Sequence, residues 1–306
     1  MHLVFDRPGT FSYENITALH IFNGIGNAIG DLIIFYTALW AVKSRYPSLK
    51  FFTYHAQSLN KGVKELLDIS ADVATARSAW SLEELPSYEK RISIQGKSFS
   101  VNFAKIAMVD AYLAALGFDS QEFPSEIKSN SWLSHVQLPD RPSIFRRMKY
   151  VLFCHQSSTK LRTIPEHMLG PLLDKISKTF GVPVVGFGRI NHLNYFDAAA
   201  LSRTVPDFIC WIKYALYVVS TDTAAVHIAA GLEIPCSAFF PSIDPKLRIR
   251  DYPLCQSIEL NAPAVRGIHV SNDDVHLRQV NAAWSQMDLG KIDFAKHFNL
   301  MKNRRS

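Results

Sequence analysis

Residues Leu216 to Phe240 read LYVVSTDTAAVHIAAGLEIPCSAFF and contain the pattern that decides the fold. The apolar run Leu216–Val219 predicts a buried strand, the alanine-rich stretch Thr223–Leu232 a helix, and Cys236–Phe240 a second strand. A helix between two short apolar strands is typical of a parallel β-α-β unit, because parallel strands need a long crossover connection. The segment therefore predicts an α/β fold.

The same succession of elements recurs along the rest of the chain. Apolar strands alternate with helices both before and after residue 124, so two parallel sheets are expected. The other predicted strands are Ile16–Phe22, Leu49–Tyr54, Tyr150–Cys154 and Val182–Phe187, and the predicted helices are Asp31–Arg45, Phe103–Leu116, Glu166–Phe180 and Asp273–Phe298.

The length of the chain favours two domains, and one segment stands out as their boundary. A chain of 306 residues is too long for one ordinary hydrophobic core. The periodicity fades from Pro124 to Lys149, where prolines and serines accumulate. The sequence therefore predicts a first domain over residues 1–148 and a second over residues 149–306.

The composition excludes several classes of protein. With 48% apolar and 20% charged residues, the chain has the profile of a packed globular protein and not of a disordered one. The most apolar stretch, Leu32–Val42, has eleven residues, too few to cross a bilayer, and the first residues lack the basic start of a secretory signal. Cys154, Cys210, Cys236 and Cys255 form no C-x-x-C pair and are expected to be reduced. We therefore expect a cytoplasmic protein.

The charge balance narrows the choice of partners. A net charge of +6 favours anionic partners such as phosphorylated metabolites or acidic glycolipid surfaces. The basic residues are scattered and form no stripe interleaved with aromatic residues, so a nucleic-acid partner is not expected. No D-x-D-like motif is visible, and no metal site is expected.

The loop NGIGNAIGD, Asn23 to Asp31, lies between the first predicted strand and helix. Its spacing G-x-G-x-x-x-G departs from the dinucleotide fingerprint, and no acidic residue follows the second strand to hold a ribose. An NAD(P)-dependent oxidoreductase is therefore the weaker alternative. Gly26 and Gly30 would let a substrate approach the backbone, and Asp31 is a candidate general base. The alternative role for Asp31 is to cap the helix.

A second loop, SSTKLRTIP, follows the strand Tyr150–Cys154. The hydroxyl groups of Ser157, Ser158 and Thr159 and the guanidinium group of Arg162 are candidates to bind a diphosphate through charge-assisted hydrogen bonds. The alternative is an exposed basic loop without a ligand.

A third loop, STDTAAVHIAAG, leads from the buried strand into the alanine-rich helix. The small side chains of Ala224 and Ala225 leave the first N–H groups of the helix accessible to a phosphate, and Thr223 adds a hydroxyl group. Asp222 suits sugar hydroxyls or the N-cap of the helix. His227, one turn on, is either a ligand contact or a hydrogen-bonded core histidine.

Three stretches together resemble glycosyltransferase family 9, the heptosyltransferase-like enzymes of the GT-B fold. Ile29–Pro47 is similar to the opening G-D motif, helix and proline of the family, and Arg162–Met168 to its K-x-W-P-E segment. Val219–Pro245 is similar to its D-[ST]-G-x-x-H-x-A-A-x-L-G-x-P segment and the motif that follows. The resemblance covers most of the chain in order. It implies two Rossmann-like domains with parallel sheets that face each other across a cleft.

The resemblance also implies a reaction and the residues that perform it. It implies inverting, metal-independent transfer of a sugar from a nucleotide-diphosphate donor, with ADP-heptose as the family example, to a hydroxyl group of a lipopolysaccharide core or related glycan. The net charge of +6 would help hold such a cytoplasmic enzyme near the anionic glycolipid of the inner membrane surface, and no cofactor is expected. Asp31 takes the position of the catalytic aspartate and Arg162 that of the phosphate-binding lysine. The implied donor site consists of Asp222, Thr223, Ala224, Ala225 and His227.

Several positions depart from the family pattern. Ala224 and Pro241 stand where the family has glycine, and Ile164 stands where it has tryptophan. These changes keep open a second alternative, a non-catalytic GT-B module that binds nucleotide or glycan. The sequence does not define the sugar, the nucleotide or the oligomeric state. It also does not define whether the C-terminal helix packs back on the first domain.

Overall fold

The protein is described by a computed structural model that covers residues 5–56, 58–78, 89–94, 105–140 and 145–305. The chain divides into two compact units, Met1–Gln137 and Leu138–Ser306. The division lies inside the segment where periodicity fades, eleven residues before the predicted domain boundary at residue 148.

The first unit is built on a four-stranded sheet in which every neighbouring pair is parallel. Its strands are β1 (Ala18–Phe22), β2 (Lys50–His55), β3 (Thr75–Ser78) and β4 (Lys90–Ser93). Its helices are α1 (Ile29–Arg45), α2 (Lys61–Ile69) and α3 (Met108–Ala115). The strand order is β3-β2-β1-β4, so the chain changes direction across the sheet between β1 and β4.

Helix α1 is the central helix of the first unit. Almost every side chain from Leu32 to Val42 is buried, as expected for a helix that is apolar around its whole circumference. Polar groups along α1 have internal partners: Thr37 Oγ1 donates to Asn130 Oδ1 at 2.6 Å and accepts from Trp132 Nε1 at 3.1 Å. The middle of α1 is therefore tied to side chains from outside the helix.

The second unit has a six-stranded parallel sheet. Its strands are β5 (Val151–Cys154), β6 (Val184–Gly186), β7 (Tyr195–Asp197), β8 (Tyr217–Thr221), β9 (Cys236–Phe240) and β10 (Cys255–Glu259). Its helices are α4 (Glu166–Phe180), α5 (Val205–Lys213), α6 (Ala224–Gly231), α7 (Lys246–Ile249), α8 (Asp274–Ser285) and α9 (Phe294–Arg305). The order β10-β9-β8-β5-β6-β7 is that of a dinucleotide-binding sheet, with the change of direction between β5 and β8.

The C-terminal stretch forms two helices instead of the one predicted over 273–298. Asp288 accepts a hydrogen bond from the backbone N–H of Gly290, and this short turn separates α8 from α9. Phe294 of α9 is buried in the core of the second unit, and the hydroxyl group of Tyr217 lies 2.6 Å from His297 Nδ1. Helix α9 thus packs on the unit to which it belongs.

One further helix begins later than the sequence predicts. The helix predicted over 103–116 begins only at Met108, after Ala107 with extended backbone, and residues 103 and 104 lie outside the described part of the chain. Gly117 then ends this helix with a φ of +89°, a conformation that glycine adopts without strain. All four cysteines are free thiols.

Candidate functional site

Each sheet has one point at which ligands of open α/β folds are usually bound. Where the strand order changes direction, the loops beyond two neighbouring parallel strands leave in opposite directions and form a crevice at the carboxyl ends. In the first unit this point lies beyond β1 and β4, and in the second it lies beyond β5 and β8. All three loops singled out in the sequence follow these strands.

The loop after β1 is joined to β4 by a side-chain hydrogen bond. Asn23 has a φ of +59°, a left-handed conformation that asparagine tolerates, and its Nδ2 donates to Ser93 Oγ at 3.0 Å. The loop therefore turns directly over the crevice of the first sheet.

Asp31 lies in the first turn of α1, which begins two residues earlier than predicted. Ala28 is the N-cap residue of α1, so Asp31 is not the N-cap. The carboxylate lies against Gly26: a Cβ atom added there would be 3.2 Å from Asp31 Oδ2. Its charge, together with the larger effect of burial, raises the pKa of the Tyr112 hydroxyl. Gly30 is in the same helical turn.

Gly24 of this loop has a packing role. A Cβ atom at Gly24 would lie 2.6 Å from both Phe35 Cζ and Ile94 Cδ1, so glycine is needed there for space. The helix N-terminus that receives a pyrophosphate in dinucleotide folds here presents the carboxylate of Asp31, which repels an anion. This geometry argues against the oxidoreductase alternative.

In the second unit, the loops after β5 and β8 are tied together by Arg162. This side chain is 7% exposed and donates four hydrogen bonds, two of them from Nη1 to the backbone oxygen and Oδ2 of Asp222 at 2.7 and 3.2 Å. Thr221 Oγ1 also donates to the backbone oxygen of Arg162. The two predicted diphosphate loops are therefore in direct contact.

The hydroxyl groups of the β5 loop surround the same guanidinium group. Ser158 Oγ accepts from Arg162 Nη2 at 3.2 Å, and Thr159 Oγ1 accepts from Nε at 3.3 Å. The Oγ of Ser157 is buried and has no hydrogen-bond partner among the residues that the structure describes. The hydroxyl groups of this loop thus contact a buried ion pair, whereas Lys160 of the same loop is exposed.

Helix α6 begins beside this ion pair. Thr223, and not Asp222, is its N-cap residue, and no side chain caps the helix. Thr223 and Ala224 are half-buried, while Ala225 is fully buried. The first turn of α6 therefore offers its positive dipole end next to Arg162 and Asp222, as an anion site requires.

His227 is buried one turn into α6. It is 5% exposed, and its Nδ1 lies 2.8 Å from the hydroxyl group of Tyr252. Burial, more than the nearby charges, lowers the pKa of His227 to about 4, so the ring is neutral near pH 7. His227 is therefore a hydrogen-bonded core histidine and adds no positive charge.

Two further residues near Arg162 and Asp222 do not belong to the sequence motifs described above. Arg248 of α7 is 9% exposed, and His269 lies in the loop beyond β10. Desolvation, then the charges of Arg162 and Arg248, lowers the pKa of His269, while Asp222 opposes this effect. The motif Asp244-Pro245 before a basic helix was the available signal for Arg248, but no sequence pattern points to His269.

The site residues thus form two groups, one in each unit. Asp31, Gly26 and Gly30 belong to the first, and the predicted donor residues from Ser157 to His227 belong to the second. Within the described ranges, no group of three or more His, Cys, Asp or Glu side chains could hold a metal ion, and no helix is long and apolar enough to span a membrane.

Solved structures with the same architecture include sugar transferases. The E. coli ADP-heptose LPS heptosyltransferase II is 16% identical to this chain, with a TM-score of 0.55 over 89% of this chain and 99% of its own. The iron-containing dodecameric glycosyltransferase TibC of enterotoxigenic E. coli is 14% identical, with a TM-score of 0.59 over 98% and 77%. The E. coli heptosyltransferase WaaC with ADP is also 14% identical, with a TM-score of 0.50 over 88% and 98%.

No protein-family model matches the chain, and no curated protein matches it in sequence. At these identities the likeness concerns the fold, which is that of the heptosyltransferases: two α/β units, each built on a parallel sheet. The resemblance noted in the sequence is thereby confirmed at the level of the fold.

Proposed function

We propose that the protein is an inverting glycosyltransferase that uses a nucleotide-diphosphate sugar. One observation supports this most directly: the ion pair of Arg162 and Asp222 lies beside the uncapped start of α6, at the switch point of a dinucleotide-type sheet. Such a place favours a phosphate group. The fold shared with two heptosyltransferases is consistent with it.

In the proposed reaction, Asp31 is the general base. It accepts the proton of the acceptor hydroxyl group as that oxygen attacks the anomeric carbon from the side opposite the diphosphate. The bond to the diphosphate breaks, and the configuration at the anomeric carbon is inverted. Asp31 suits this role because it lies in the first turn of α1 and because it is half-buried, not enclosed.

The leaving diphosphate gains negative charge as its bond breaks. Preorganised dipoles and cations that are already in place stabilise such charge without reorganisation. In this chain we assign that task to the first turn of α6, the hydroxyl groups of Ser157 and Thr223, and the guanidinium group of Arg162. Asp222 orients Arg162 and is available to sugar hydroxyls.

The donor and acceptor belong to the same proposal. We propose ADP-heptose or a related nucleotide sugar as donor, and a hydroxyl group of a lipopolysaccharide core or similar glycan as acceptor. The net charge of +6 would favour peripheral contact with an anionic membrane surface in the cytoplasm. Sedimentation with anionic but not neutral vesicles tests this last part.

The experiment that tests the proposed function has two stages. A thermal-shift screen against ADP, UDP, GDP and CMP identifies the nucleotide, and the matching sugar donor is then offered with truncated glycan acceptors. We expect one nucleoside diphosphate to raise the melting temperature and its sugar conjugate to be consumed with inversion. A rise in melting temperature without sugar transfer or donor hydrolysis would instead support a non-catalytic module that binds nucleotide or glycan. This module is the second candidate because Ala224 places a methyl group at the start of α6.

Metal independence is part of the proposal and has its own test. We expect transfer to continue at an unchanged rate in excess EDTA. Loss of activity that Mg²⁺, Mn²⁺ or iron restores would contradict this part alone.

A further inference from the structure

Three residues other than glycine have a left-handed backbone in the part of the chain that the structure describes: Asn23, Asn130 and Glu233. Two of them have a local reason, because a left-handed residue commonly ends a helix. Asn130 directly follows the 3-10 helix Ile127–Ser129, and Glu233 follows Leu232, the C-cap residue of α6. Asn23 follows the strand β1 instead, and no helix end explains its conformation.

The conformation of Asn23 points to a use for its side chain. Glycine adopts a φ of +59° more easily than asparagine does, so the backbone alone would favour glycine at this position. A less favourable residue at the switch point of a sheet indicates a function for the group that glycine lacks. That group is the amide.

The pairing of strands does not account for this amide. Phe22 and Ser93, the last residues of β1 and β4, already face each other in the parallel sheet. The backbone N–H of Ile94 also donates to the oxygen of Phe22 at 3.1 Å. The hydrogen bond from Asn23 to Ser93 is therefore added to two strand ends that the backbone already joins.

The two side chains have hydrogen-bonding capacity left. Asn23 is exposed and Ser93 is half-buried. The bond between them uses one N–H of the amide and one lone pair of the hydroxyl group. Within the described residues, Asn23 Oδ1, the second amide N–H and the Ser93 O–H have no partner. The pair thus presents donors and an acceptor side by side at the crevice of the first sheet.

A short loop connects this pair to the proposed general base. A Cβ atom at Gly24 would lie 2.6 Å from Phe35 Cζ, and one at Gly26 would lie 3.2 Å from Asp31 Oδ2. Asp31 and Phe35 are four residues apart in α1 and share one face of that helix. The Cα atoms of residues 23 and 26 are at most about 11 Å apart. The amide and the carboxylate therefore lie within the length of a short saccharide.

We propose that Asn23 and Ser93 bind hydroxyl groups of the acceptor next to the one that Asp31 deprotonates. The part of the acceptor bound here is then a neutral sugar with neighbouring free hydroxyl groups. This inference rests on the proposed function and deepens it, because it names the substrate class of the first unit and two residues outside the recognised motifs.

The chemistry of the pair selects this class of ligand. Each hydroxyl group of a sugar donates and accepts a hydrogen bond, and an amide beside a serine hydroxyl offers both partners to two such groups. Neither Asn23 nor Ser93 carries a charge. The carboxylate of Asp31 repels a uronic acid or a phosphorylated sugar at this place. Neutral polyols are therefore favoured over anionic ones.

The first experiment measures saccharide binding by saturation-transfer NMR. The probes are methyl α-D-glucopyranoside and methyl α-D-glucuronide, which differ only in the oxidation of C6. We expect the wild type to bind the neutral glucoside more tightly, and Asn23→Gly and Ser93→Ala to bind it about fivefold more weakly than the wild type. Asn23→Gly keeps the left-handed backbone and removes only the amide.

The control is Glu233→Gly, which makes the same kind of backbone change at an exposed residue of the second unit. Its affinity for the glucoside should equal that of the wild type. Equal affinities in Asn23→Gly and Glu233→Gly would overturn the proposal. So would a wild type that prefers the glucuronide, or a fall in the melting temperature of Asn23→Gly without any loss of glucoside binding.

The second experiment uses the sugar-transfer assay and a pair of acceptors. One is the accepted glycan, and the other is its monodeoxy analogue without the hydroxyl group next to the reacting one. We expect kcat/KM of the wild type to be about fivefold higher for the parent glycan, and Asn23→Gly to treat both alike. The KM for the donor should not change. The same preference in both proteins would refute the contact.

The failures of the two proposals are distinguishable. A wild-type protein that binds no nucleoside diphosphate and consumes no sugar donor contradicts the proposed function, and the NMR experiment still tests the saccharide site. A wild-type protein that transfers the sugar, with an Asn23→Gly variant that binds the glucoside and discriminates between acceptors as the wild type does, contradicts only this inference.

Discussion

The loop after β1 in the first unit and the loops after β5 and β8 in the second occupy the same kind of position in two parallel sheets, yet they carry different charged groups. The first presents the half-buried carboxylate of Asp31 against Gly26. The second encloses an arginine–carboxylate pair beside the start of α6. The backbone architecture therefore selects where chemistry occurs, and the side chains at each switch point decide which chemistry it is.

The largest expected effect comes from removing the negative group of the first unit. Asp31→Asn should lower kcat for sugar transfer by about 10²–10⁴-fold, because an amide cannot accept the acceptor proton. Affinity for the nucleoside diphosphate should stay unchanged, since the donor site belongs to the second unit. Asp68→Asn, at an exposed position of α2, is the matched control. Turnover of Asp31→Asn within a few-fold of wild type would remove this residue from the role of base.

The next effect concerns the stability of the second unit. Arg162→Ala should reduce the free energy of unfolding by about 3–5 kcal/mol, because it leaves the carboxylate of Asp222 buried without a partner. Urea unfolding followed by circular dichroism measures the change. Lys160→Ala, an exposed neighbour in the same loop, should stay within about 0.5 kcal/mol of wild type. Equal stability of the two variants would show that the ion pair does not hold the loops together.

Two glycines of the first loop should separate packing from chemistry. Gly24→Ala places a methyl group 2.6 Å from Phe35 and Ile94, so we expect a loss of about 1–3 kcal/mol in the free energy of unfolding. Gly26→Ala meets Asp31 at 3.2 Å, which side-chain movement can relieve, so stability should change little while kcat falls several-fold. Denaturant unfolding and transfer kinetics of both variants provide the comparison. The reverse pattern would contradict the assignment of the two glycines.

The smallest effect appears as a pH dependence of stability. Burial lowers the pKa of His227 to about 4, below the value near 6.5 of an unfolded chain. The unfolded state therefore binds the proton more readily, so the contribution of His227 is complete above pH 6.5 and is lost as the pH falls toward 4. This amounts to roughly 2 kcal/mol between pH 7 and pH 5. Urea unfolding at both pH values should show that the free energy of unfolding falls less in His227→Gln than in the wild type. An equal fall in the two proteins would contradict this account.

The fold could be predicted where strands are buried on both faces. All six interior strands, β1, β2, β5, β6, β8 and β9, coincide with apolar runs in the sequence. The edge strands β3, β4, β7 and β10 were missed, because an edge strand is partly solvated and tolerates mixed sequences such as TARS and KRIS. Hydrophobic periodicity reflects the burial of side chains, and an edge strand is too little buried to be recognised from its sequence.

Some residues of the candidate site could likewise be predicted from the sequence, and others could not. Asp31, Arg162 and the start of α6 could be found from the sequence, because each is part of a contiguous loop between a predicted strand and helix. Arg248 and His269 could not, because the segments that carry them are joined to α6 and to the loop after β9 by hydrogen bonds of Tyr252 and Ser242 with residues 25 and 26 positions away. Such long-range hydrogen bonds leave no local pattern.

The sequence by itself determined the α/β class, the interior strands and the loops that carry polar groups, since these depend on the hydrophobic pattern of neighbouring residues. Only the tertiary structure decided that Arg162 is neutralised by Asp222, that His227 is a core residue, and that α9 packs on the second unit. The physical reason is that charge balance and burial depend on all neighbours in space, and most of those neighbours are distant in the chain.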